Sequence, residues 1–225
     1  MTMYGLPPYR MHRVSRTDCV LYLPLWKRYG TRVWNSISGA QVTVTGATWG
    51  KTGRTFDATD DNIDCGDIVS PEVTDAITIE IWIKHIGAAA STFWIGQMQP
   101  AGAGYDWGLY FPTVTKVPTL YVTNSLDTDK NTACTTDVST GDFFHIVGTY
   151  DGAVLTGYVN GVQEGTPTAQ TGNIRNSSYN VVISKWNSRL MNHVMGEARV
   201  YKRALTAHEV YYNYQATKWR YLGAA

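Results

Sequence analysis

The sequence lacks any clear excess of charge of one sign. Nineteen lysines and arginines stand against eighteen aspartates and glutamates, and charged residues make up only 16% of the 225 residues. Nucleic acids attract proteins through broad basic surfaces, and a formal net charge of +1 supplies none. We therefore expect no nucleic-acid partner.

Long apolar runs are missing as well. No stretch approaches the roughly 20 apolar residues that span a bilayer, and the first ten residues lack the apolar core of a signal peptide. We expect no membrane insertion and no visible export, and the location of the protein stays open. The cysteines show no CxxC spacing and an odd number, which argues against a zinc site and a complete disulfide framework. We expect buried free thiols at Cys19, Cys65 and Cys134.

What is abundant suits β-structure. Hydrophobic residues make up 44% of the chain, which contains 15 tyrosines and 8 tryptophans. The clearest strand covers 77–84, where isoleucine recurs at every second position and predicts a core-facing side. The opposite side, which carries Glu80 and Trp82, is expected to meet loops or partly wet space.

Turn signals separate about ten short strand candidates, a pattern typical of an antiparallel sandwich. Asp151-Gly152 and Asn160-Gly161 predict tight hairpin turns. Thr206, followed three residues later by Glu209, predicts the capped start of one helix of two or three turns that ends before Trp219.

Two regions divide the chain. Residues 1–17 contain adjacent prolines and no alternation, so they predict an extended arm that docks on a neighbour or is a floppy terminus. Residues 18–225 are expected to form one domain, because no linker or internal repeat interrupts them.

Four segments in a fixed order resemble the laminin-G-like domains of the concanavalin A-like lectin and glucanase superfamily. They are LYLPL (21–25), TFDATDDNI (55–63), FFHIVGTYDG with YVNG (143–161) and EARVYKRALT (197–206). The resemblance covers about residues 18–218 and implies an all-β jelly roll of two antiparallel sheets with a rim of loops. It leaves the ligand open, because the superfamily spans lectins, glucanases, adhesion modules and structural domains.

A catalytic site is not predicted. The glucanases of this superfamily carry two glutamates on one strand, and retaining cleavage needs two carboxylates about 5 Å apart. Glu80, the nearest acidic strand position, has Thr78 and Trp82 as same-face neighbours and is expected to be a partly solvated strand residue. His145 is expected to be a hydrogen-bonded structural group, because no histidine has metal-ligand or nucleophile-activating spacing.

No cofactor is required, but the resemblance raises a structural calcium. Many laminin-G-like relatives hold this ion with loop carboxylates, the hard oxygen ligands it prefers. Asp57, Asp60 and Asp61 lie in an acidic loop that supplies such groups. Relatives usually have an aspartate where this chain has Gly196, so the chain either holds calcium without that ligand or lacks it.

Two segments carry the aromatic and polar mix that binds sugars, in which rings stack on pyranose faces and polar groups grip hydroxyls. They are 102–107, a glycine-rich loop, and 185–193, a polar loop. Candidate ligand-binding residues are Tyr105, Asp106, Trp107, Trp186, Asn187, Arg189 and Asn192. The alternative for Trp107 and Trp186 is a place in the sandwich core or at its edge.

Three functional hypotheses remain. The first is a non-catalytic recognition or adhesion module that binds a glycan or a protein surface, displayed on a larger assembly. The second is a structural or decoration protein of a virus or phage particle, in which residues 1–17 contact other subunits. The third is a glycoside hydrolase, which requires carboxylates distant in sequence to converge.

Overall fold

The computed structural model describes residues 14–28, 32–67, 74–87, 91–99 and 104–223. Within these ranges the chain forms eighteen strands and one helix. The strands are β1 (Cys19–Leu23), β2 (Val33–Trp34), β3 (Gln41–Thr45), β4 (Thr48–Gly50), β5 (Gly53–Asp57), β6 (Asn62–Asp64), β7 (Ile77–His85), β8 (Thr92–Met98), β9 (Tyr105–Phe111), β10 (Thr119–Thr123), β11 (Asp129–Ala133), β12 (Phe143–Tyr150), β13 (Val154–Val159), β14 (Val162–Ala169), β15 (Val181–Ile183), β16 (Lys185–Trp186), β17 (Arg189–Leu190) and β18 (Asn192–Tyr201). The helix is α1 (Ala207–Leu222).

Two antiparallel sheets of eight strands form the sandwich. The first sheet has the order β14-β13-β12-β7-β18-β5-β4, and β1 pairs with β18 beside this path. The second sheet has the order β11-β10-β9-β8-β15-β6-β3-β2, and β16 and β17 form a separate small hairpin. This arrangement confirms the predicted jelly-roll sandwich with a C-terminal helix.

The hydrophobic core lies between the two sheets. The isoleucines at 77, 79, 81 and 83 on β7 are each at most 1% exposed and belong to the main cluster of buried residues. Burial of each such side chain contributes roughly 1.5–3 kcal/mol. The period-two pattern of the sequence is therefore confirmed as one core-facing side. The three cysteines are buried and free, as expected.

The opposite side of β7 is not exposed to solvent at Glu80 and Trp82, so the expectation that it meets loops or solvent is wrong. Helix α1 covers it, so Trp82 is completely buried and its Nε1 donates to Thr217 Oγ1 at 2.8 Å. The Trp82 ring also stacks on Tyr221, with centroids 4.5 Å apart. A polar-looking strand face that the sequence pattern placed at the surface is therefore buried by a helix distant in sequence, beside a second, smaller cluster of buried residues.

Helix α1 has the predicted start and a different end. Thr206 caps it through a complete capping box with Glu209. The helix continues past Trp219 to Leu222. Thr217 and Tyr221, in its last turns, are buried against Trp82 of β7, and these contacts hold the end of the helix on the first sheet. No helix in the described ranges is long and apolar enough to cross a membrane.

Only the last part of the predicted arm falls within the described ranges, and residues 1–13 lie outside them. Ser15 contacts the domain itself: its backbone N–H donates to Asn213 Oδ1 at 3.2 Å, and its carbonyl accepts from Tyr201 Oη at 3.1 Å. These bonds tie Ser15 to β18 and to the buried side of α1.

Candidate functional site

Aromatic rings collect on the outer face of the second sheet. Successive residues of a strand point to opposite sides, so Leu109 of β9 and Leu120 of β10 enter the core, whereas Tyr110 and Tyr121 face outward. Both tyrosines are half-buried. Gly108, on the same side, leaves room for the Phe93 ring of β8, because a Cβ there would lie 2.5 Å from a Phe93 ring carbon.

We call Phe93, Tyr105, Tyr110, Tyr121 and Trp186 the aromatic platform. Phe93 is buried at its centre, with ring centroids 5.0 Å from those of both Tyr105 and Tyr110. Its centroid lies 5.5 Å from that of Trp186 and 5.9 Å from that of Tyr121. The four outer rings meet edge to face, at interplanar angles of 79° to 83°. Such contacts fix ring orientation and are worth about 0.5–1.5 kcal/mol each.

The hairpin β16–β17 brings Trp186 onto the platform. Asn187, at the turn, has a φ of +60°, a conformation that asparagine tolerates well. After the turn, Arg189 folds back so that its guanidinium lies 5.0 Å from the Trp186 ring centroid. Both Asn187 and Arg189 are exposed, and together they form a polar rim beside the half-buried indole.

Tyr105 is anchored from two directions. Its hydroxyl donates to Asp129 Oδ2 at 2.5 Å, and burial together with this acidic neighbour raises the pKa of Tyr105. Burial likewise raises the pKa of Asp129. Arg175 holds the backbone: its Nη2 donates to the Tyr105 carbonyl at 2.7 Å, and its Nε donates to Asp106 Oδ1 at 2.7 Å. The platform is therefore built on an ordered polar support.

The structure brings together three of the candidates predicted from sequence. Tyr105 and Trp186 come from the two separate segments, and their centroids lie 6.4 Å apart. Arg189 covers one side of Trp186. Asn187 lies in the adjoining turn, whereas Asn192 begins β18 and pairs with Asp57 in the first sheet.

Two candidates lie in the interior, which corrects their placement at a binding surface. Trp107 is completely buried in the core, and its Nε1 donates to Gln97 Oε1 at 2.8 Å. Asp106 is also completely buried and accepts hydrogen bonds from Arg175 and from Ser177 N–H. Neither side chain presents a surface to a ligand.

Sequence reasoning missed Phe93, Tyr110 and Tyr121. The signal for Tyr110 and Tyr121 was their alternation with Leu109 and Leu120 in two strands that pair with each other. Their strands were predicted, but the pairing that aligns Tyr121 with Gly108 and places it near Tyr110 was not.

A laminin-G family model, described as the concanavalin A-like lectin/glucanases superfamily, matches residues 57–211, more than half of the chain. The chain belongs to this superfamily. No curated protein sequence matches the chain.

Solved structures of toxin binding domains share the fold of this superfamily member. The receptor binding domain of botulinum neurotoxin C/D mosaic serotype has a TM-score of 0.69 and 11% identity, covering 88% of this chain and 51% of that one. The binding domain of botulinum neurotoxin DC in complex with SialylT has 0.69 and 12%, with the same coverage. The binding domain of Paraclostridial Mosquitocidal Protein 1 has 0.64 and 12%, covering 88% and 52%. The chain spans about half the length of these structures, and at this identity the likeness shows the fold alone.

The superfamily includes glucanases, which cleave with a pair of carboxylates, and two glutamates are buried near one another in this chain. Glu80 is 1% exposed, so the prediction of a partly solvated residue is wrong. Its Oε1 lies 2.6 Å from Arg199 Nη1 and 2.9 Å from His145 Nε2, and its Oε2 accepts from Asn213 at 2.8 Å. Burial opposes ionisation, but Arg199 and these hydrogen bonds outweigh it and lower the pKa of Glu80 to about 2.

A second carboxylate does converge here from a distant position. Glu197 Oε1 lies 3.0 Å from Nη2 of the same Arg199. Both glutamates are buried beneath α1 and share one guanidinium, whereas glycoside hydrolysis needs a carboxylic acid of raised pKa facing a groove. The arrangement is suited to holding α1 on the sheet.

Three aspartates at the end of β5 and just after it are candidate ligands for the calcium that many members of the superfamily hold. Carboxylate oxygens of Asp57, Asp60 and Asp61 lie within 4.8 Å of one another. Asp61 is buried, which raises its pKa, and its Oδ2 already accepts from the Asp57 backbone N–H at 2.8 Å. These oxygens fit calcium as a partial set, since the ion takes roughly six to eight.

Gly196 has a packing explanation that is independent of calcium. It lies at an irregularity in the pairing of β18 with β7, between Met195 and Glu197. A Cβ at this position would lie 2.3 Å from a ring carbon of Tyr221 in α1. The missing side chain therefore makes room for the docked helix.

Proposed function

We propose that this chain is a non-catalytic glycan-binding module that stacks sugar rings on the aromatic platform. The observation that carries the proposal is the set of four half-buried rings that surround Phe93 and meet one another edge to face. Aromatic faces bind the apolar faces of pyranoses, and rings that are already ordered lose little conformational entropy on binding.

The polar rim supports the same function. Lys185, Asn187 and Arg189 are all exposed beside Trp186 and offer donors to sugar hydroxyls or carboxylates. A structural neighbour was solved in complex with SialylT, which is support for a glycan ligand by likeness of fold. The burial of Glu80 and Glu197 speaks against a hydrolase.

Display on a larger assembly, and the alternative of a decoration protein in a virus or phage particle, stay predictions. Their basis was the arm of residues 1–17, most of which lies outside the described residues. The described Ser15 bonds to its own domain, so no observation favours a contact of this residue with another subunit.

A glycan array tests the proposal. We expect the wild type to bind a defined set of glycans. Trp186→Ala should weaken glycan binding at least tenfold, because it removes one of the aromatic rings of the platform. Trp186→Phe should recover part of the loss. Trp34→Ala is the matched control, since Trp34 is 36% exposed on β2 at the far edge of the same sheet. Absence of any binding by the wild type, or equal binding by Trp186→Ala, would contradict the platform as a glycan site.

A further inference from the structure

Three tryptophans meet at an edge of the first sheet, on the opposite sheet from the platform. Trp26 follows β1, Trp49 lies on the edge strand β4, and Trp219 lies near the end of α1. Cationic side chains accompany them. We call the set the tryptophan surface: Trp26, Lys27, Arg28, Trp49, Trp219 and Arg220.

Contacts join these residues into one surface. The guanidinium of Arg220 lies 3.9 Å from the Trp26 ring centroid and 4.7 Å from that of Trp219. Trp49 Nε1 donates to the Trp26 carbonyl at 3.1 Å. The surface therefore draws on an edge strand, a turn and a helix, and its parts are fixed relative to one another.

Two of the three rings are exposed, although contacts hold them in place, and Trp26 between them is half-buried. Trp219 is 64% exposed and Trp49 is 40% exposed. Tryptophan and arginine are the residues most enriched at the energetic centres of protein interfaces, where ordered rings lose little entropy on binding. This composition favours a protein partner.

The indole N–H groups decide between kinds of partner. Trp26 Nε1 donates to Glu197 Oε2 at 3.4 Å, Trp49 Nε1 to the Trp26 carbonyl, and Trp219 Nε1 to the Ala216 carbonyl at 3.0 Å. Tryptophans that anchor proteins to membranes use the polar N–H end of the ring at the wet interface. Here all three N–H groups have partners within the chain, so the surface offers ring faces and cations instead.

The charge of the surface is positive. Lys27 Nζ lies 5.6 Å from the Trp26 centroid, and Arg28 Cζ lies 5.4 Å from that of Trp49. Among the described residues, neither cation takes part in an ion pair, and Arg220 is paired with one carboxylate, that of the buried Glu197, at 3.8 Å. A second copy of the chain would bring like charges together, whereas carboxylates complement them.

We propose that the tryptophan surface docks an acidic segment of a partner protein. Carboxylates of the segment pair with Lys27, Arg28 and Arg220, and an apolar side chain packs against Trp49 and Trp219. This role is independent of glycan binding on the aromatic platform.

Selection from a random library of displayed 15-residue peptides against the immobilised full chain tests the proposal. We expect peptides rich in Asp and Glu with at least one aromatic or aliphatic anchor. For a synthetic copy of the best peptide, Trp49→Ala and Trp219→Ala should each raise Kd at least tenfold. Arg28→Gln should weaken binding and flatten its salt dependence, whereas Arg28→Lys should retain most of it.

Trp34→Ala, at an exposed tryptophan on the other sheet, is the matched control and should leave Kd unchanged. Selection without acidic enrichment, or a Kd unaffected by Trp219→Ala, overturns the proposal. So does tryptophan-dependent binding to vesicles of phosphatidylcholine and phosphatidylserine without peptide binding. Dimerisation of the wild type that Trp219→Ala abolishes would assign the surface to a second copy and also overturn it.

Discussion

Two tryptophans that the sequence nominates for the same binding site lie in different environments in this chain. Trp107 is buried in the core with its indole N–H bound to Gln97, whereas Trp186 is half-buried on the platform under Arg189. Composition could nominate both but could not separate them. The difference arises from strand pairing, because Trp107 lies on the core side of β9 while the short hairpin β16–β17 carries Trp186 to the outer side.

The three aspartates at the end of β5 and just after it give a prediction about metal binding. Carboxylates this close repel one another unless a proton or a cation intervenes. We expect Asp60→Asn to raise Tm in EDTA, because it removes one repelling charge from the exposed side of the cluster. If calcium is held there, millimolar CaCl₂ should raise Tm of the wild type more than that of the variant, so the order of the two reverses. Differential scanning calorimetry measures both.

Asp142→Asn, at an exposed aspartate elsewhere, is the control and should respond alike in EDTA and calcium. Equal calcium shifts in wild type and Asp60→Asn would indicate nonspecific binding. No shift in either would show that the cluster holds no calcium.

At the scale of elements, local signals predicted most strands and failed where distant elements meet. The Asn160-Gly161 turn was readable because both residues adopt positive φ, as a tight hairpin between paired strands requires. The cap at Thr206 was equally local. The burial of Glu80 under α1 could not be predicted from local sequence, because Asn213, which donates a hydrogen bond to Glu80, lies 133 positions away. No periodicity in β7 could indicate that a helix would bury its polar side.

The same limit applies to the candidate site. Tyr105 and Trp186 could be nominated from aromatic and polar composition, yet their contact depends on β8 and β9 pairing and on the hairpin that follows β15. Phe93, the buried centre of the platform, carried no signal of its own. Its role depends on Gly108 of the neighbouring strand β9, where the missing side chain leaves room for the Phe93 ring.

Helix docking depends on the space at Gly196, which gives a prediction at this scale. Gly196→Ala places a methyl group against Tyr221, and overpacking of this kind costs about 1–3 kcal/mol. We expect urea unfolding to show that loss. Combining it with Tyr221→Ala should give less than the sum of the two single effects, because the second change removes the clash.

Gly172→Ala does not serve as a control, because its φ of +106° strains any side chain. Gly87→Ala is suitable, since the nearest atom to its Cβ is 3.6 Å away and no positive φ is involved. Strict additivity between Gly196→Ala and Tyr221→Ala would contradict the packing explanation for Gly196.

For the whole molecule, the two sheets carry different surfaces. The aromatic platform lies on the outer face of the second sheet, and the outer face of the first sheet is occupied by α1, with the tryptophan surface at its edge. A ligand on the platform and a partner at the tryptophan surface would therefore not compete for the same residues. Both surfaces exist only while the sandwich is folded, and we expect the free energy of unfolding of the sandwich to depend on pH.

His193 and Glu80 both contribute to that dependence, in overlapping pH windows. Burial lowers the pKa of His193 to about 3, below its ordinary 6.5, and His85 faces it from β7. Below pH 6.5 His193 binds a proton in the unfolded chain but stays neutral in the folded protein. The contribution of His193 to the free energy of unfolding is therefore fully present above pH 6.5 and is lost as pH falls towards 3. Glu80, with a pKa of about 2 instead of 4.5, contributes stability above 4.5 that is lost as pH falls towards 2.

Urea midpoints measured from pH 8 to pH 3 test these windows. We expect wild-type stability to begin falling near pH 6.5, at up to about 1.4 kcal/mol per pH unit for each group, and to fall more steeply below 4.5. His193→Phe keeps a ring beside Phe56, on which His193 stacks with centroids 4.6 Å apart, and removes the titration. It should therefore make the profile shallower between pH 6.5 and 4.5 and leave the steeper fall below it. Part of the slope should remain, because burial also lowers the pKa of His85. A profile unchanged by His193→Phe would mean that this imidazole is charged in the folded protein or that another group titrates in its place.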